Sequence, residues 1–132
     1  MFAKILISLG VLVYLALIPF LEINESHVFN AQWPAHARFH EVWQLTTHMM
    51  LGVMALWLAW FKQQIIISAG ISIAIMGGVL FAHIIEASYG GSVLSGNTSQ
   101  TVMGLELAAF AAALVIVMSV IAIVLDRGLF NK

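Results

Sequence analysis

The chain has 132 residues, 62% hydrophobic and 8% charged, with a formal net charge of -1 and a mean hydropathy of +1.03. A water-facing domain carries about 25% charged residues, so composition excludes an ordinary soluble surface, and near-neutrality offers nothing to a nucleic acid. No cysteine is present, which excludes disulfides, thiolate metal sites and thiol chemistry.

Four stretches lack Asp, Glu, Lys and Arg: between Lys4 and Glu22, from Val42 to Phe61, from Gln63 to Ile85, and from Leu107 to Leu125. Each approaches the ~20 residues that cross a ~30 Å hydrocarbon core. The expected fold is all-α, an integral membrane four-helix bundle forming one domain over 1–132, with helices at about 3–21, 36–61, 64–87 and 100–125. The first stretch follows Lys4 as a signal peptide would, but runs on through Ile18-Pro19-Phe20-Leu21 without a small-residue cleavage site, so it reads as a retained helix.

Charge sets the expected orientation. Lys4, Lys62, Arg127 and Lys132 lie on one side of the spans and only Arg38 on the other. The positive-inside tendency places both termini in the cytoplasm, as in a multi-pass protein of a bacterial inner membrane. Trp33 and Trp43 flank the outer end of the second helix, and Trp57 and Trp60 its inner end, as an aromatic belt does. The short connection at Lys62-Gln63 makes the second and third helices an antiparallel hairpin. The outer loops run from Glu22 to about Ala35 and from Tyr89 to Gln100.

Small residues supply close helix contacts in lipid. The third helix carries Gly70, Ala74, Gly78 and Ala82 at four-residue spacing, ending at Glu86. The fourth carries Gly104, Ala108 and Ala112. The second carries Glu41, His48 and Ala55 beside Leu45, Gly52 and Ala59. These seams are expected to face inward.

His40, Glu41, His48, His83, Glu86 and Glu106 all fall in the outer half of the spans. An ionisable group at membrane depth costs about 2.5–3.5 kcal/mol on insertion scales and normally marks an interior site. His48, His83, Glu86 and Glu106 are therefore the candidate acid–base residues of a shared cavity. A purely structural role, with His83–Glu86 and His48–Glu106 as interhelical pairs, is the alternative. His36 and His40 stand at i,i+4, the spacing at which two imidazoles meet one metal ion, and Glu41 follows them. The pattern is H-x-x-x-H rather than H-E-x-x-H, so a metalloprotease is excluded. His48 and His83 differ in height by about 10 Å at helical rise, which speaks against paired haem ligation. Arg38 is placed either to pair with Glu41 or to fork onto an anionic head group. Asn30, Trp43 and Gln44 complete the candidate ligand-binding residues. Asn24-Glu25-Ser26 and Asn97-Thr98-Ser99 match the glycosylation pattern.

The segment Asn30-Ala31-Gln32-Trp33-Pro34-Ala35-His36-Ala37-Arg38-Phe39-His40 resembles a signature of small four-helix membrane proteins. That likeness implies the architecture and no activity. Pro34, Phe39 and Glu41-Val42-Trp43-Gln44 are distantly similar to a stretch of the EXPERA group, and the span arrangement is similar to DoxX-like proteins. EXPERA proteins, sterol isomerases and sterol-binding receptors among them, enclose a lipophilic cavity with acidic and polar residues. The resemblance implies a lipophilic ligand. The leading expectation is binding or transformation of a small lipophilic molecule or membrane lipid by acid–base chemistry, since no activated nucleophile is evident. The alternatives are a metal or redox protein using iron, copper or zinc, and an accessory subunit of a larger membrane complex. A homo-oligomer is compatible with the first two, whereas stable isolation as a monomer or homo-oligomer would count against the third.

Overall fold

A computed structural model describes residues 1–94 and 101–130. Asn97-Thr98-Ser99 and Lys132 lie outside the described residues. The chain is mostly helical, and four helices are long and apolar enough to cross a membrane: Phe2–Glu22, Ala35–Trp60, Ile65–Ile84 and Leu107–Gly128.

The first span has three parts: α1 (Phe2–Leu12), a π-helical turn (Val13–Leu17) and α2 (Ile18–Glu22). Pro19 explains the turn. It has no N–H to donate to Leu15, so the ladder loosens, and the Ile18 N–H reaches back five residues to the Val13 carbonyl. A folded segment, stitched by Asn24 and Asn30, leads to α3 (Ala35–Trp60), which begins directly after Pro34. Phe61–Gln64 turns the chain into α4 (Ile65–Ile84). A short α5 (Glu86–Tyr89) follows, capped by left-handed Gly90. Strands β1 (Thr101–Val102) and β2 (Leu105–Glu106) then pair antiparallel, and α6 (Leu107–Phe130) closes the bundle.

The hairpin corrects the expected start of the fourth helix near 100. Met103 and Gly104 both have positive φ, 54° and 82°, as a two-residue hairpin turn requires. Gly104 is therefore a turn residue rather than part of a helix seam, and Glu106 sits on β2, ahead of α6.

Ile7, Val11 and Tyr14 belong to one buried core cluster with Ala112, Val115 and Ala122 of α6. The α4–α6 pairing is the most extensive, with α1–α6 next. Polar ties cross the helices: Tyr14 Oη lies 3.0 Å from Ser72 Oγ, and Ser68 Oγ donates to the Ala55 carbonyl at 2.8 Å. Such ties matter in lipid, where an unmet polar group has no water to turn to. On α3 the expected seam holds, with Leu45, Gly52, Ala55 and Ala59 buried.

On α4 the expected seam is reversed. Gly70, Ala74 and Gly78 are exposed, and the buried face carries Ser68, Ala69, Ser72, Ile75 and Met76. Two residues along a helix turn about 200°, so the Ser68–Ser72 row and the Gly70–Ala74 row lie on opposite faces. Only the serine face can reach Ala55 and Tyr14, and those hydrogen bonds turn the small-residue stripe outward. Large apolar side chains such as Leu9, Val53, Ile67, Val117 and Val124 are also exposed, as lipid contact requires.

Lys4 stacks on Trp60 and Lys62 on Trp57, with 5.4 and 4.9 Å to the ring centroids, and Trp60 Nε1 donates to Ser8 Oγ at 2.9 Å. The start of α1 and the α3–α4 turn thus share one end, called proximal below. The candidate residues gather at the opposite, distal end.

Candidate functional site

At the distal end, the π turn, α3, α4 and α6 leave a cavity of about 780 Å³. Ligand pockets span about 300–1,000 Å³. Its deep walls are apolar, with Val13, Leu17, Leu45, Met76, Val79 and Ala112 among them. Its polar lining comprises Glu22, Ser26, His27, Asn30, Glu41, Gln44, His48 and Ser92, beside the Trp33 indole. Its described lining includes no lysine or arginine.

The approach segment builds one wall. Asn24 Oδ1 accepts from the Ser26 N–H at 2.8 Å and from Ser26 Oγ at 2.6 Å, and Ser26 Oγ also lies 2.8 Å from His27 Nδ1. His27 Nε2 meets Glu22 Oε2 at 2.8 Å, and the Trp33 ring stands edge-on to the imidazole at 5.4 Å. Burial pushes the His27 pKa below its usual 6.5. The Ser26 hydroxyl has one proton for two acceptors, so its direction and the His27 protonation state are linked.

Glu41 and His48 enter from α3, two turns apart on one face. Both are half-buried. Among the described residues, His48 has no hydrogen-bond or ion-pair partner, and Glu41 accepts no hydrogen bond and makes no ion pair. His48 also lines a second pocket of about 470 Å³ between α3 and α4, whose other wall is the outward-turned Ala74, Gly78 and Ala82. Gln44, His48 and Val79 are common to both spaces.

His83, Glu86 and Glu106 form a separate cluster that does not line the cavity. His83 Nδ1 lies 3.1 Å from Glu86 Oε2, and His83 Nε2 lies 3.4 Å from Glu106 Oε2. Glu86 Oε2 also accepts the Val93 N–H at 2.9 Å. The hydrogen bond from His83 is the chief reason that the Glu86 carboxyl is held below its usual 4.5, with the Val93 N–H adding to it. Ser92, Val93 and Leu94 line the cavity, so the cluster stands behind the cavity wall and fastens it. Glu106 pairs with His83 rather than with His48.

Of the candidate ligand-binding residues, Asn30 and Gln44 line the cavity, whereas Arg38 and Trp43 do not. The Arg38–Glu41 ion pair does not form, and Arg38 Nε is shielded from solvent without a hydrogen-bond partner among the described residues. The candidate metal ligands separate as well. His36 Nε2 and His40 Nε2 lie 3.0 Å apart on the exposed side of α3, while Glu41 faces the cavity. Among the described residues, no group of three or more His, Asp or Glu side chains is arranged to hold a metal ion.

Sequence reasoning singled out neither Glu22 nor His27 as a site residue. Only the folding back of the segment after Glu22 brings the two together, and no periodicity announces such a return.

No family model, no curated protein and no solved structure matches this chain.

Proposed function

We propose that this membrane protein binds a small lipophilic molecule in the distal cavity and acts on it by proton transfer. The observation that carries the reading is a ligand-sized cavity with apolar walls into which His48 presents an imidazole with no hydrogen-bond or ion-pair partner among the described residues. An imidazole exchanges protons near neutral pH, and Glu41 on the same helix face supplies a second group for a paired acid–base step. The Glu22–His27 pair, with Ser26 beside the imidazole, offers a further place to hold a proton at the cavity wall.

The lining also selects a head group. Carboxylates without a neighbouring lysine or arginine favour hydrogen-bond donors and cations over anions. The ligand is therefore a lipophilic molecule with a neutral or cationic head, which agrees with the lipophilic ligand implied by the EXPERA-like and DoxX-like resemblance. The excess of positive residues at the proximal end supports an orientation with both termini in the cytoplasm, in a bacterial inner membrane. The cavity then opens near the outer leaflet.

The test uses protein in lipid nanodiscs and probes of one chain length: dodecanol, dodecylamine and dodecanoate. Dodecanol and dodecylamine should raise the unfolding midpoint, because a ligand stabilises the state that binds it, and dodecanoate should not. His48→Ala should remove most of the shift, whereas Ser8→Ala at the proximal end should keep it. A midpoint indifferent to all three probes would overturn the cavity reading.

A further inference from the structure

The pair His36–His40 takes no part in the cavity or in the His83 cluster. Both side chains are exposed on the first two turns of α3. Their rings stand nearly perpendicular, at 86° with centroids 4.5 Å apart, and the two Nε2 atoms are 3.0 Å from each other. Neighbouring aromatics hold both rings. Phe39 lies nearly parallel to His36 at 6.3 Å, and Trp43 stacks against His40 at 5.6 Å.

The i,i+4 spacing and the meeting of the two rings allow both nitrogens to share one ion. Imidazole nitrogens sit about 2.0–2.1 Å from a bound divalent ion. The observed 3.0 Å is an imidazole–imidazole hydrogen bond, and it brings both Nε2 atoms within reach of one ion. Adjacent nitrogen donors at right angles suit the tetragonal field of copper(II), which also binds nitrogen donors most tightly of the first-row divalent ions. Binding requires both imidazoles in the Nδ1–H tautomer, each ring rotated so that its Nε2 lone pair faces the ion instead of the other ring.

We propose that His36 and His40 form an exchangeable copper(II) site on the distal surface of α3, independent of the cavity. The two imidazoles occupy adjacent equatorial positions and water fills the rest. Glu41 is excluded because it faces the cavity. With two protein donors, both exposed, the site exchanges its ion with solution instead of retaining it as a resident cofactor.

The test is titration of copper(II) alone into the purified protein in nanodiscs near neutral pH. Tryptophan emission and the electron paramagnetic resonance spectrum are recorded together. Trp43, stacked on His40, should be quenched as the site fills, and the spectrum should be axial with two equatorial nitrogens. His36→Ala and His40→Ala should each weaken binding by about tenfold or more, since one lost nitrogen breaks the chelate, with circular dichroism confirming the fold. His27→Ala and His48→Ala should leave the affinity in place. Unchanged binding in the double variant His36→Ala/His40→Ala, a spectrum with one nitrogen, or no saturable binding would each overturn the proposal. None of these outcomes bears on dodecanol binding in the cavity.

Discussion

Glu86 shows how a single carboxylate shapes the site without touching it. One oxygen accepts from His83 and from the Val93 amide, and Val93 belongs to the cavity wall. Both interactions favour the ionised form, so the folded-state pKa lies below the usual 4.5. The stabilisation is present above that unfolded value and is lost as pH falls through the lower folded one. Hydrogen exchange should therefore show the Val93 amide protected at neutral pH and opening in acid as pH falls through the lowered carboxyl pKa. Glu86→Gln should expose the amide at neutral pH and flatten that dependence. A Val93 amide equally protected in the Glu86→Gln protein would show that the wall is held by other contacts. His83 was legible as a partner of Glu86 from their i,i+3 spacing. Its second partner, Glu106, was not, because that contact joins residues on separate elements that no local spacing relates.

Glycines divide the elements by role. A Cβ on Gly52 would lie 3.1–3.3 Å from Tyr14, Leu15 and Val11, tighter than ordinary contact, so these neighbours must give way to any side chain there. A Cβ on Gly78 would meet nothing within 4 Å. Gly52→Val should thus destabilise by about 1–3 kcal/mol, the usual cost of overpacking. Gly78→Val should change stability by less than about 0.5 kcal/mol, as at an open surface position. Denaturation in matched detergent distinguishes the two. Equal losses would mean that the outward stripe of α4 is packed after all, for instance against a second copy. The small-residue pattern alone ranked these glycines alike, because spacing records which residues share a face but not which way the face points.

At the scale of the whole molecule, the loops divide between two ends. The proximal end carries Lys4 and Lys62 against Trp60 and Trp57, and the distal end carries the cavity. Because the chain has no cysteine, single introduced thiols report topology cleanly. Under the proposed orientation, Lys62→Cys should react with an impermeant maleimide only when the cytoplasmic side is open, and Ser88→Cys only from the other side. Reversed labelling would invert the orientation and place the cavity toward the cytoplasmic leaflet.

The amino-acid sequence by itself determined the four spans and the concentration of ionisable groups at one end. Both are local properties, because the cost of placing a charge in hydrocarbon is set residue by residue along one segment. Tertiary structure alone decided how those groups are divided. Ser68–Ser72 and Gly70–Ala74 repeat with the same period, and only Ala55 and Tyr14 on other helices choose the serine face. That rotation turns Gly78 outward, while the hairpin carries Glu106 to His83 and leaves His48 with the cavity. Helical periodicity constrains side chains within one element, and the partners of a polar group in lipid come from the others.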